Sequence, residues 1–249
     1  ATVPDTFLEF ALAGDRRVTL QAVKGNYLQG QELDRTHPYE TIWLQFAAVR
    51  GDEETLGRSY RDFVLRHMTL NSETRKPYIY YNTWNYQERN KHWHGRPYLE
   101  SMCQERMLQE IEAAQRMGIE VFVIDTGWYE KTGDWRVSTE RFPDGLRAIR
   151  RKLEGYGMRL GLWFNPTAAA VSSRMLQEHR DCIRSWRGRQ AEPHPIWETE
   201  ESHSMCLVSR YADAFVEELI RLHRELGVTN IKWDAVDQYG CDDPGHWHG

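Results

Sequence analysis

The segment Val121-Phe122-Val123-Ile124-Asp125-Thr126-Gly127-Trp128 decides the fold. Its first four residues are apolar without alternation, so neither face of this strand meets water, and the run stops at an aspartate. Strands buried on both faces belong to parallel sheets covered by helices. Working outward, the same grammar recurs at 78–84, 159–164 and 229–234, each a short β pattern that turns polar at its C-terminal side. Helical patterns stand between them: 97–117 ended by Gly118, 145–156 ended by Gly157, and 211–226 ended by Gly227, with a further helix near 172–179. Alternating β and α segments predict an α/β protein. About 250 residues is the usual length of an eight-stranded (β/α)8 barrel. Only four strand-to-helix units follow Pro77, however, and the fourth lacks its helix. That region therefore reads either as an open four-stranded sheet or as the first half of a barrel.

The stretch before it has a different texture. Phe7-Leu8-Glu9-Phe10, Val18-Thr19-Leu20-Gln21-Ala22-Val23 and Thr41-Ile42-Trp43-Leu44-Gln45-Phe46 are short and partly alternating, with turn-like Gly14-Asp15, Gly25-Asn26 and His37-Pro38 between them. These predict three antiparallel strands. From Asp52 to His67 the apolar residues Leu56, Tyr60, Phe63 and Val64 recur at helical spacing behind an acidic first turn, a connecting helix. The expected organisation is residues 1–50 as the end of a β domain, 51–76 as a linker helix, and 77–249 as the β/α region.

Composition excludes several function classes. With Lys+Arg 32 against Asp+Glu 37, the formal net charge is −5, and no basic run suits a nucleic acid. No apolar stretch approaches the roughly 20 residues that cross a bilayer, so no membrane partner is expected. The N-terminus lacks Met and shows no signal pattern, so the chain reads as trimmed; it carries no address, and the cytoplasm is favoured only by default. Cys103, Cys182, Cys206 and Cys241 are scattered without a CxxC pair, which argues against a disulfide scaffold or a structural zinc site. Ten Trp and 12 Tyr are an excess of aromatics, explained either by a packed core or by a carbohydrate site, where flat rings meet the C–H faces of sugars.

In parallel α/β folds, active sites form at the C-terminal ends of the strands. Asn82, Trp84, Asp125, Thr126, Asn165, Lys232 and Asp234 all fall there. A single strand-end Asp is commonly a helix cap or a loop hydrogen bond; four polar strand ends together favour a site. In Lys232-Trp233-Asp234, residues two apart share a face, so the ammonium lies beside the carboxylate and keeps it ionised, while Trp233 faces the other way. An anionic Asp on a rigid strand end suits a nucleophile, although a structural ion pair has the same signature. Trp84 and Trp163 are each a sugar platform or a core residue. His-Trp-His-Gly occurs at 92–95 and again at 246–249; His-x-His can bind zinc or copper, but no third ligand stands at a recognisable spacing, so no metal site is expected. Asp242-Asp243 before Pro244 reads as turn chemistry.

Six segments in one order carry a resemblance: Ile124-Asp125-Thr126-Gly127-Trp128, Gly133-Asp134-Trp135, Phe142-Pro143-Asp144-Gly145-Leu146, Gly161-Leu162-Trp163-Phe164-Asn165-Pro166, Leu207-Val208-Ser209-Arg210 and Ile231-Lys232-Trp233-Asp234. Together they resemble glycoside hydrolase family 36, the melibiase-type α-galactosidases, over about residues 52–234. The resemblance implies a TIM barrel preceded by a β-sandwich domain, so the fold expected here is the first half of that barrel, about four β/α units, behind the end of an antiparallel sandwich. It implies a retaining α-glycosidase acting on terminal α-linked galactose-like residues, without a cofactor. By motif, Asp234 resembles the catalytic nucleophile, Lys232 a lysine that binds sugar hydroxyls, Asp125 a carboxylate on the O4/O6 side of galactose, and Trp163 a residue lining the sugar subsite. Thr126 stands where a second Asp is usual, Asn165 where Glu is usual, and an expected Arg is replaced by Ser202-His203-Ser204. These departures admit N-acetylgalactosamine or a pentopyranose as the sugar.

A retaining enzyme also needs a second carboxyl about 5–5.5 Å from the nucleophile. In the family that acid comes from strand six, and Asp237, Asp242 and Asp243 are too close to Asp234 in sequence to supply it. The chain alone is therefore expected to be inactive. Its expected partners are an oligosaccharide or glycoside, the missing half of the barrel and, in the full-length form, further copies of the same chain. Three other readings stay open: a non-catalytic carbohydrate-binding protein, a transglycosylase on the same scaffold, and a Schiff-base aldolase using Lys232, the last disfavoured by the carboxylate beside it.

Overall fold

A computed structural model describes residues 7–12, 14–15, 17–23, 34–35, 47–234 and 240–246. Strands β1 (Phe7–Leu12) and β2 (Val18–Val23) form an antiparallel hairpin with Phe7 opposite Val23. The third expected strand, at 41–46, lies outside the described residues. Helix α1 (Glu53–Phe63) is capped by Asp52, whose carboxylate accepts from the Thr55 amide at 2.9 Å, as the acidic first turn predicts. None of its residues is buried.

The central element is a four-stranded parallel sheet. Its members are β3 (Tyr80–Asn82), β4 (Val121–Ile124), β5 (Arg159–Phe164) and β11 (Val228–Trp233), laid side by side in chain order. All four residues of β4 are buried, as the uninterrupted apolar run predicts. At Gly161 a side chain would meet Val123 Cγ2 at 2.8 Å, so the strands close up there without one. Helices α3 (Gln104–Arg116), α4 (Arg147–Gly155) and α6 (Tyr211–Leu226) connect the strands. Each buries a stripe at helical spacing: Met107, Ile111 and Ala114; Ile149 and Leu153; Tyr211, Phe215 and Leu222. Gly227 closes α6 in the left-handed conformation (φ 68°), with its N–H on the His223 carbonyl at 3.0 Å.

The first β/α unit differs from expectation. The strand ends at Asn82, whose side chain accepts from the Trp84 amide at 3.0 Å and turns the backbone into helix α2 (Trp84–His94). Trp84 is thus the first residue of a helix and not a strand end, and the segment 92–95 is that helix's last turn with its left-handed Gly95 cap. The helix expected from Pro97 starts at Gln104, because the segment before it turns at 98–101 to bury Tyr98 and Leu99.

Between β5 and α6 the chain makes an excursion. It contains a short helix, α5 (Arg174–Glu178), a three-stranded antiparallel sheet of β6 (Ala168–Ala170), β10 (Glu201–Ser204) and β9 (His194–Pro195), and a hairpin of β7 (Ser185–Trp186) and β8 (Arg189–Gln190). These strands of two to four residues are too short for periodicity to reveal. Ser202, in the stretch where an Arg is usual, is buried, and its hydroxyl pairs with Thr132 at 2.7 Å.

Candidate active site

Four elements converge at the C-terminal edge of the sheet. β11 carries Lys232 and leads into Asp234, β4 leads into Asp125, β5 carries Trp163, and α2 begins with Trp84. Lys232 Nζ lies 2.8 Å from Asp125 Oδ2 and 3.2 Å from Asp234 Oδ2, so one ammonium joins the two carboxylates. The Trp163 indole N–H donates to Asp234 Oδ2 at 3.0 Å. Trp233 faces the opposite side, its ring 6.1 Å from that of Phe215 on α6. The same-face reading of Lys232 and Asp234 therefore agrees with the geometry.

Burial alone would push the Lys232 ammonium toward deprotonation. The Asp125 hydrogen bond and the charges of Asp125 and Asp234 outweigh it and leave the pKa raised. The Asp234 side chain is 44% exposed, whereas that of Asp125 is only 1% exposed. Lys232 also stands 5.8 Å from the Trp84 ring centroid, a cation–π contact, and Trp84 keeps part of its surface in solvent.

Three expected substrate contacts are placed otherwise. Asp125 is enclosed: Oδ1 accepts from the Thr126 amide (2.8 Å) and hydroxyl (3.1 Å), Oδ2 is held by Lys232, and its own amide donates to Thr83 Oγ1 at 2.9 Å. Thr126 is fully buried, with its carbonyl accepting from Gln87 Nε2 at 2.8 Å. Trp163 is also fully buried, stacked 6.2 Å from Tyr129, so it orients Asp234 and does not offer a face to a sugar. Its burial follows from packing: Trp128, Trp135, Phe164 and Phe215 build an aromatic cluster around the ends of β4 and β5, with Trp128 Nε1 donating to the Trp163 carbonyl at 2.9 Å. Core packing accounts for these rings. Asn165 makes a local turn, accepting from the Thr167 amide (3.0 Å) and hydroxyl (2.8 Å). Asp243 acts in a turn as expected, accepting from the Gly245 amide at 2.9 Å, whereas Asp242 reaches across to the β7–β8 hairpin, accepting from Ser185 Oγ and the Gly188 amide.

Several contributors were missed by sequence reasoning. Thr83 and Gln87 lock the Asp125 loop; their only signal is a four-residue spacing on the start of α2. Tyr98 is buried, and its hydroxyl has no hydrogen-bond partner among the described residues. Burial, followed by the charges of Asp125, Glu88 and Asp234, holds that hydroxyl well above the usual phenol range, so it remains a neutral donor beside the site. Tyr98 stacks on Trp197 at 5.0 Å with planes 4° apart, and Trp197 adopts a left-handed backbone (φ 53°).

Glu198 fastens this pair, taking the Leu99 amide and Lys91 Nζ at 3.2 Å each. Burial raises its pKa, but the Tyr98 and Leu99 amides and Lys91 outweigh burial and lower it. Its stabilisation is thus present above the unfolded carboxyl range and is lost as pH falls through the lowered folded value. Glu198→Gln should cost about 0.5–1.5 kcal/mol at neutral pH. The gap between the two proteins should close in thermal melts below about pH 4; a gap constant with pH would refute the ionic role.

A parallel α/β sheet with two carboxylates and a lysine gathered at its strand ends defines a strand-end active-site scaffold. The Melibiase family model matches residues 51–240, and the chain belongs to that family. Among curated relatives, α-galactosidase Mel36A of Lactobacillus acidophilus is 27% identical over 151 residues, covering 56% of this chain and 20% of that protein. The A type blood α-D-galactosamine galactosaminidase of Flavonifractor plautii is 29% identical over 150 residues, covering 57% of this chain and 14% of the relative. The chain thus spans about a fifth or less of these relatives' length. Among solved structures, a variant of GH36 α-galactosidase AgaA from Geobacillus stearothermophilus in complex with stachyose aligns with a TM-score of 0.57 at 18% identity, over 78% of this chain and 28% of the other. TtGalA, an α-galactosidase from Thermus thermophilus, aligns with a TM-score of 0.53 at 21% identity, over 74% and 35%. These similarities show the α/β fold, and the family expected from the six motifs is the one found.

Proposed function

We propose that this chain forms the nucleophile-bearing part of a retaining α-glycosidase that removes terminal α-linked galactose-like residues from oligosaccharides. One observation carries the reading: Asp234 Oδ2 is gripped by the Lys232 ammonium and the Trp163 indole N–H while the side chain stays half open at the sheet edge. An ionised carboxylate held by two donors on rigid strands loses little freedom in reaching an anomeric carbon. It attacks that carbon as the bond to the leaving oxygen breaks, giving a glycosyl ester on Asp234. A second carboxyl protonates the departing oxygen and then takes a proton from the water that cleaves the ester, so configuration is retained. Asp125 does not fit that second role, since Lys232 and Thr126 hold both its oxygens. The acid/base is assigned to residues outside this chain, and the chain alone is inactive.

In this reading, residues 1–50 end a β-sandwich, 51–76 form the linker around α1, and 77–249 form β/α units one to four of a TIM barrel. Side-by-side strands in chain order support it, because a doubly wound sheet reverses direction partway. The outer strands support it too: Tyr80 on β3 and Trp233 on β11 are each more than half exposed, as surfaces awaiting further strands would be. Asp125 and Lys232 position the site, and Trp84 offers the exposed ring for the sugar.

Trapping tests the assignment. The full-length protein carrying this chain, treated with an activated fluorogalactoside and digested, should carry the label on the peptide containing Asp234. A label on any other carboxylate overturns it.

A further inference from the structure

A second cluster lies outside the carboxylate site. Cys206 is far in sequence from Cys241 and His246, yet one ligand atom from each of the three falls within 4.8 Å of the others. Sequence spacing argued against a metal here; the fold assembles what spacing does not. Cys206 follows β10, and Cys241 and His246 belong to the segment beyond Asp234. Cys206 and His246 are buried, and none of the chain's four cysteines forms a disulfide.

The ligand chemistry is specific. His246 Nε2 lies 2.7 Å from the Asp181 carbonyl, which can only accept, so that nitrogen carries a proton, and in the neutral ring Nδ1 presents its lone pair. Nδ1 lies 3.4 Å from Cys241 Sγ. Two ligands at about 2.3 Å (S) and 2.0–2.1 Å (N) from a tetrahedral zinc stand about 3.6 Å apart. A metal-bound histidine typically donates its other N–H to a carbonyl or carboxylate, the arrangement made with Asp181. The Ser185 N–H also reaches Cys241 Sγ at 3.4 Å, which fixes the position of that sulfur.

We propose that Cys206, Cys241 and His246 bind one thiophilic divalent cation, zinc, with solvent at the fourth position. Binding releases two thiol protons, and two thiolates neutralise the ion, so the buried site carries no net charge. The metal fastens the segment beyond the nucleophile to the excursion after β5. Contacts already prepare that docking: the Asp242 carboxylate accepts from Ser185 Oγ at 2.7 Å and the Gly188 amide at 3.0 Å.

The test uses the full-length protein carrying this chain, purified without chelator and supplied with zinc. One zinc per chain is expected, with X-ray absorption showing two sulfurs and one imidazole nitrogen around it. Cobalt substitution should give thiolate-to-cobalt absorption in the near ultraviolet. Cys206→Ser and Cys241→Ser should each lose the metal, whereas Cys103→Ser should retain it. Because a serine variant can fail to fold, the absorption spectrum of the unmodified protein decides independently. Substoichiometric zinc, a first shell without sulfur, zinc retained by the Cys206→Ser/Cys241→Ser double variant, or a Cys206–Cys241 disulfide in protein isolated without oxidant would each overturn the proposal.

Discussion

Replacing Asp234 with glycine in the full-length enzyme should lower turnover of an aryl α-galactoside by about 10^4-fold or more, the scale of losing a covalent nucleophile. Added azide should then restore release of the aryl group. The small anion enters the space left by the carboxylate and attacks the anomeric carbon from the same side. It is not cleaved in a second step, so the product is the β-glycosyl azide, of inverted configuration. Lys232 and Trp163 remain in this variant, and their donors to Asp234 Oδ2 become available to the incoming anion. Two results would remove Asp234 from its role: a loss below about tenfold, or azide leaving the rate unchanged while the protein stays folded.

The second large effect is on stability. Asp125 is enclosed, and among the described residues Lys232 is the one cation bonded to it. Removing one partner of a buried pair typically costs about 3–5 kcal/mol, because the other charge stays behind. Since a quarter of the Lys232 side chain is exposed, Lys232→Met should fall at the lower end of that range in urea unfolding. Lys232→Met/Asp125→Asn should recover part of the loss, since an amide left in that cavity costs less than a charge. Full additivity of the two substitutions would show that the residues do not act as a pair. The pH dependence has a fixed sign. Burial lowers the Lys232 pKa, but Asp125 and Asp234 raise it further, so its folded value lies above the unfolded one. The stabilisation is whole below about pH 10.4 and fades as pH climbs through the folded value.

The sheet was largely legible because its signals are local. Uninterrupted apolar runs gave β4 and β5, and left-handed glycines after α4 and α6 marked where those helices stop. The shared face of Lys232 and Asp234 followed from strand geometry alone. What escaped depends on contacts between distant segments. Trp163 reads as a sugar platform until Tyr129 is seen against its face, and Thr126 as a sugar ligand until its hydroxyl is found on Asp125. The turn of Asn82 into α2 overrode a run of β-forming aromatics. The strands of the excursion are shorter than any periodicity. Cysteine spacing could not reveal the cluster of Cys206, Cys241 and His246 for the same reason, since proximity there is created by the return of the 240–246 segment.

The side-by-side order of the parallel strands has a consequence for synthesis. Each newly emerging unit finds its docking surface already made by the unit translated just before it, with no need to wait for a distant stretch of chain. Assembly can thus advance with the ribosome in one direction. In that order β11, whose Trp233 is more than half exposed, is the last strand of this sheet to emerge, so a message stalled within it leaves the neighbouring β5 margin open to wrong pairing.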